Sequence, residues 1–233
     1  MRSDVLVLLQ ARMGSTRLPG KVLAPIGGVP MLACCLQRLL ASGAGRLLVA
    51  TSLRREDDAV VEEAARAGVA AVRGSERDVL NRFAQGARLT TARFVIRATA
   101  DNPAVDIDAP RRALDALERS GADYCCERGL PCGAAVEAMR AGALLAADRL
   151  ATSRDDREHV TPYIRRAGPR FRIVEPEAPV ALRRPDVRLT VDTAADLAFL
   201  REIAYALPVP LSTAPLTTVI AAADRLAAGA RVA

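Results

Sequence analysis

The chain has 233 residues, of which 51% are hydrophobic, 26% charged and 3% aromatic, and its formal net charge is +6. This length buries a substantial core, while arginines or polar residues interrupt every apolar run before it reaches the length of a membrane span. Tryptophan is absent and the arginines are spread along the chain without a basic run or stacking platform, so the charge reads as a site for phosphorylated small molecules and not for nucleic acid.

Met1-Arg2-Ser3-Asp4 runs straight into a strand, without the apolar core and cleavage site of a signal peptide, so a cytoplasmic protein is expected. Residues 4–10 form a continuous apolar run, typical of a strand buried on both faces. A helix is predicted over 30–42 with Gly43 as its stop, then a strand over 46–51. The helix predicted over 56–67 opens with acidic residues and closes before Gly68. Strand 69–73, helix 77–89, strand 93–99 and helix 108–120 continue the alternation. That rhythm predicts an α/β fold, a mostly parallel sheet with helices on both faces.

After Gly121 the rhythm loosens. Short strands are expected around 123–126 and 135–138, and helices over 142–150 and around 158–165. Strands over 171–175 and 187–191 and helices over 194–206 and 216–228 complete the chain, with 176–185 as the most mobile loop. The reading is one domain over residues 1–233, with a substrate-side elaboration at about 122–186. Cys34, Cys35, Cys125, Cys126 and Cys132 are odd in number and lack a CxxC, so they read as reduced thiols. A zinc site from Cys125, Cys126, Cys132 and the lone His159 lacks standard ligand spacing.

The turn after the first strand carries the densest chemistry. Residues 10–21 read QARMGSTRLPGK, and Lys21 is the only lysine in the chain. Ligands of open α/β sheets bind outside the carboxyl ends of the strands. Gly14, Ser15 and Gly20 let backbone N–H groups approach an anion, and Arg12, Arg17 and Lys21 add three positive charges. The segment is neither GxxxxGK(S/T) nor GxGxxG, which disfavours a dinucleotide-binding dehydrogenase. Two strands, 93–99 and 187–191, run into Asp101 and Asp192. Carboxylates gathered at strand ends form a hard-oxygen site suited to Mg²⁺. Each also has a local alternative as a helix cap, and Asp196 reads as a first-turn dipole partner or capping-box residue.

Residues 10–23 resemble the N-terminal signature of the cytidylyltransferase family, which includes acylneuraminate and 3-deoxy-manno-octulosonate cytidylyltransferases, and resemble its spore-coat polysaccharide branch in particular. RATADNP (97–103) and TVDTAADL (190–197) resemble the family's metal-binding segments. The resemblance implies a Rossmann-like, three-layer nucleotide-diphospho-sugar transferase fold and a homodimer. It implies CTP and an anionic small-molecule acceptor as substrates. It makes Asp101 and Asp192 Mg²⁺ ligands and Arg12 and Lys21 phosphate contacts, these four being the catalytic set. Ala11, Arg12, Met13, Gly14, Ser15 and Lys21 would hold the nucleotide from one side. Gly74, Ser75, Arg77, Ala98 and Thr99 would border it from the other. Residues 131–137, PCGAAVE, resemble a PDGxxxE substrate motif in which Cys132 replaces the Asp, and 157–161 resemble REHVT. Glu137 and His159 are the acceptor-side residues by that likeness. Two rival functions remain open. One is a nucleotide-sugar-dependent glycosyltransferase using Asp106 and Asp108 as a DxD pair, and the other is a non-catalytic nucleotide-binding protein.

Overall fold

The computed structural model describes residues 2–229. Its centre is the first strand, β1 (Arg2–Gln10), whose apolar residues alternate between the two faces of a sheet. Val5, Val7 and Leu9 enter one core; Leu6 and Leu8 enter the other. A two-stranded ribbon follows, β2 (Pro25–Ile26) and β3 (Val29–Pro30), which the sequence reading did not anticipate. Gly27 and Gly28 both have positive φ, at 58° and 87°, as a two-residue hairpin turn demands. Then come α1 (Met31–Ser42), β4 (Gly45–Ser52), α2 (Asp58–Arg66), β5 (Ala70–Gly74), α3 (Val79–Thr90), β6 (Phe94–Thr99) and α4 (Ala109–Ser120). The later part holds β7 (Tyr124–Cys126), β8 (Glu137–Arg140), α5 (Ala141–Leu150), α6 (Arg154–His159), α7 (Pro162–Arg166), β9 (Ile173–Val174), α8 (Ala194–Ala206) and α9 (Leu216–Gly229).

Seven strands form one mixed sheet in the order β5-β4-β1-β6-β8-β7-β9. β1 lies parallel to β4 and β6, and β5 parallel to β4. β8 runs antiparallel to both β6 and β7. Side chains of α1, α4, α8 and α9 cover one face, and those of α3 and α5 the other. The expected three-layer α/β fold with a mostly parallel mixed sheet is the one observed. Because β1 is flanked by β4 on one side and β6 on the other, its carboxyl end is the switch point where a ligand crevice opens.

Two expectations need correction. Residues 187–191 form no strand: the segment makes an isolated bridge from Arg188 to Cys132, and the Val191 N–H bonds the Asp101 carbonyl at 2.8 Å. Its partners are loops, so no ladder propagates. The helix expected around 158–165 is broken in two at Val160. That residue has φ 73° and ψ −55°, and the Thr161 N–H bonds the His159 carbonyl at 2.9 Å. This is a γ-turn with positive φ, a rare and strained conformation, here on a buried β-branched residue. Pro162, the first residue of α7, leaves the chain no route to continue the helix through this point.

Candidate active site

The crevice is built from the loop that leaves β1. The Ala11 N–H bonds the Ala50 carbonyl, and Met13 then becomes the hub. Its carbonyl accepts from the N–H groups of Ser15, at 2.9 Å, and Gly20, at 3.0 Å. Gly20, at φ 71°, starts a 3₁₀ turn over Lys21–Leu23 that sends the Lys21 side chain inward. Lys21 is 9% exposed. Its Nζ donates to the Val191 carbonyl at 2.6 Å and lies 3.4 Å from Asp101 Oδ2 and 3.3 Å from Asp192 Oδ1. The two carboxylates therefore converge on one cation position.

Neither aspartate is spent as a helix cap. α4 starts at Ala109 with Asp108 before it, and α8 is capped by Thr193 with Asp196 closing a capping box. Asp101 is held instead through its backbone, whose carbonyl accepts from Val191 N–H. Asp192 is the more crowded of the two, with Arg17 at 2.9 Å and Arg188 at 2.7 Å. Burial disfavours its charge, but hydrogen bonds from Arg188 and Lys21 hold its carboxyl below the usual range. Arg12 leans between Glu158 at 3.6 Å and Glu76 at 3.9 Å.

These groups line a cleft of about 330 Å³. Ala11, Arg12, Gly14, Ser15, Lys21, Thr99, Asp101, Asp192 and His159 reach its wall, as do Gln10, Arg17, Arg97 and Glu158. Other expected residues stand off it. Met13 serves through its backbone, and Ala98 is buried in β6. Gly74 ends β5, and Ser75 and Arg77 are exposed in the loop after it. Glu137 sits beneath the wall, paired with Arg97 and accepting from Tyr124 Oη at 2.5 Å and Thr161 Oγ1 at 2.7 Å. The DxD reading comes apart: Asp106 is buried against Arg112 at 2.7 Å, while Asp108 is exposed.

Glu137 makes the local electrostatics testable. Burial opposes its charge, yet the Arg97 guanidinium and the hydroxyls of Tyr124 and Thr161 outweigh that and hold its carboxyl below the usual range. A carboxyl depressed on folding stabilises the fold at pH above its ordinary value of 4.5, and that contribution is lost as pH falls through the depressed value. Glu137→Gln should cost about 3 kcal/mol at neutral pH, because it strands Arg97. The variant's urea-unfolding curves should then lose stability less steeply than the wild type below pH 4.5. A variant as stable as the wild type at pH 7 would contradict the assignment.

Sequence reasoning missed Asp57. It is 1% exposed, and its Oδ1 accepts from the Met13 N–H at 2.7 Å. The only sequence signal was an acidic residue before α2, which fits an ordinary dipole partner equally well.

A basic, glycine-bearing loop facing two carboxylates across the carboxyl edge of a mixed sheet is the arrangement of an α/β nucleotidyltransferase. The cytidylyltransferase family model matches residues 6–210, and the chain belongs to that enzyme family. Over 200 residues it is 37% identical to the spore coat polysaccharide biosynthesis protein SpsF of Bacillus subtilis (strain 168), covering 83% of each chain. A 3-deoxy-manno-octulosonate cytidylyltransferase of Rhizobium etli (strain ATCC 51251 / DSM 11541 / JCM 21823 / NBRC 15573 / CFN 42) is 36% identical over 129 residues, which span 52% of this chain and 49% of that protein. The structure of a cytidylyltransferase from Leptospira borgpetersenii serovar Hardjo-bovis (strain JB197) superposes with a TM-score of 0.88 at 28% identity, covering 97% of this chain and 95% of that one.

Proposed function

We propose that the protein transfers CMP from CTP to an anionic acceptor (an acidic sugar, a sugar or polyol phosphate, or a phosphonate) and releases pyrophosphate. The observation that carries this is Lys21 Nζ lying within 3.4 Å of both Asp101 and Asp192 at the mouth of the loop. An acceptor oxyanion attacks the α-phosphorus in line, the bond to the bridging oxygen of the β-phosphate breaks, and pyrophosphate leaves with the electron pair. Arg12 and Lys21, with the loop N–H groups, hold the triphosphate and offset its charge. Ala11, Met13, Gly14, Ser15, Thr99 and Ala98 border the nucleoside, with Gly74, Ser75 and Arg77 approaching from the loop after β5. His159 faces the acceptor, and Glu137 acts from beneath by fixing Arg97. The name of the R. etli relative, an acid sugar's cytidylyltransferase, supports the acceptor class.

Asp101 and Asp192 fit a magnesium ion. Lys21 Nζ lies within 3.4 Å of an oxygen of each, so the two carboxylates are close enough to share an ion beside the ammonium. Among the described residues no group of three or more His, Cys, Asp or Glu side chains gathers as a metal cage, which suits an ion that keeps waters and takes phosphate oxygens. When bound, Mg²⁺ would supply charge neutralisation at the phosphates. We read the chain as one nucleotidyltransferase domain with an acceptor-side elaboration at about 122–186, acting as a homodimer in the cytoplasm. Five unpaired cysteines support a reducing compartment, and among the described residues no helix is long and apolar enough to cross a membrane.

A thermal-shift panel of nucleoside triphosphates with Mg²⁺ tests the reading. CTP at a hundredfold excess over its Kd should raise the melting midpoint by about 5 °C or more, and by more than ATP, GTP or UTP does. Pyrophosphate release with anionic acceptors then identifies the second substrate. No shift with any triphosphate, or hydrolysis of a nucleotide sugar without pyrophosphate release, would refute it.

A further inference from the structure

We propose that Asp57 is a positioning residue for the phosphate loop: its buried carboxylate fixes the backbone of Met13, and through it the geometry in which Arg12 and Lys21 meet the nucleotide. The consequence for catalysis rests on the function proposed above; the positioning itself does not. Both carboxylate oxygens are used. Oδ1 takes the Met13 N–H at 2.7 Å, and Oδ2 takes the Ser52 N–H at 3.2 Å together with the Ser52 hydroxyl. Met13 is the residue whose carbonyl closes the loop onto Ser15 and Gly20, so one carboxylate ties the ends of β1 and β4 to the turn that launches Lys21.

A buried carboxylate costs several kcal/mol unless fully bonded and faced by opposite charge. Asp57 meets the first with three donors, and the charge of Arg82 acts on it at longer range, with no ion pair between the two. Arg82 is fully buried, and its Nη1 donates to the Ser75 carbonyl at 3.0 Å, while among the described residues Nε and Nη2 have no hydrogen-bond partner. Burial and the neighbouring charge of Arg12 lower Arg82 to about 10, with Asp57 opposing them. Two buried opposite charges thus underlie the two loops of the crevice, one bonded to Met13 and the other to Ser75. The carboxylate is needed as such. All three donors point at it, so an amide in either orientation would turn an NH₂ group toward an N–H.

Hydrogen exchange on the ligand-free protein, with calorimetric titration of CTP and Mg²⁺, tests this. In Asp57→Asn, residues 11–21 should exchange at least tenfold faster while the central strands keep their protection. The Kd for CTP should rise about tenfold or more at a temperature where the variant is fully folded. Ser52→Ala should shift both readings the same way by less, since Met13 keeps its bond. Asp58→Asn, at the exposed neighbour bonded to Arg73, should shift neither. Unchanged exchange at 11–21, or loosening spread evenly over the sheet, would overturn the proposal. So would a CTP affinity in Asp57→Asn equal to the wild type's. Should the wild type bind no triphosphate, the nucleotide reading falls and the exchange pattern alone decides the role of Asp57.

Discussion

Lys21→Ala should lower CTP-dependent pyrophosphate release about a thousandfold, the loss expected when a preorganised charge is removed from a developing anion. The reason lies in its setting. The ammonium is nearly buried, and its three donors are fixed by a carbonyl and two carboxylates, so its position is set before any ligand arrives. Charge held in place in this way needs no reorganisation during reaction. Stability should fall little, by about 1 kcal/mol, because Arg17 and Arg188 still neutralise Asp192. A second signature separates this from simple damage. With the ammonium gone, Asp101 loses its ion-pair partner and faces Asp192 without a cation between them, so Mg²⁺ alone should raise the melting midpoint more in Lys21→Ala than in the wild type. Lys21→Arg should not restore turnover. A planar guanidinium is larger than the point charge that fits between Val191, Asp101 and Asp192. Activity of Lys21→Ala within tenfold of the wild type would remove Lys21 from the mechanism.

Much of this was legible in the chain itself. The apolar run at residues 4–10 gave β1, and the same pattern placed β4, β5 and β6 within a residue or two. Lys21 and Asp101 were readable because each follows a strand that the pattern identifies. VRLTV at 187–191 has the alternation of a strand, but alternation reports which residues face a core and not which backbone lies alongside. Its neighbours are Cys132 and Asp101 in loops, so the segment stays extended without joining the sheet. Residues 158–165 have helical composition, and only Pro162 hinted at a break. Asp57 was invisible for a different reason. Its partner Met13 is local to it only in the fold, and its sequence context offered a sufficient bland explanation. Glu137 was found by motif and set at the acceptor, whereas its neighbours Arg97, Tyr124 and Thr161 hold it beneath the cleft wall. A motif can identify a residue without telling which side of the wall it occupies.

Asp101→Asn should abolish turnover, by about a thousandfold or more, while leaving the fold within about 1 kcal/mol of the wild type. The contrast with Asp192→Asn gives the prediction its force. Among the described residues the side chain of Asp101 pairs only with Lys21, and the position of its loop is set by the backbone bond from Val191. An amide keeps that shape and leaves Lys21 with Asp192 and the Val191 carbonyl. Asp192 is different, because Lys21, Arg17 and Arg188 all lean on it. Neutralising it takes a carboxylate from all three, leaving Lys21 with Asp101 and Arg188 with Asp196 while Arg17 loses its ion pair, so Asp192→Asn should lose turnover and measurable stability together. Both variants should need more Mg²⁺ for residual activity, since each removes one of the two carboxylates that converge on the cation position. Chemical denaturation and a Mg²⁺ titration of pyrophosphate release distinguish the pair. If Asp101→Asn turned over CTP at the wild-type rate, the metal assignment would fail, and Lys21 would be a structural counter-ion between two aspartates.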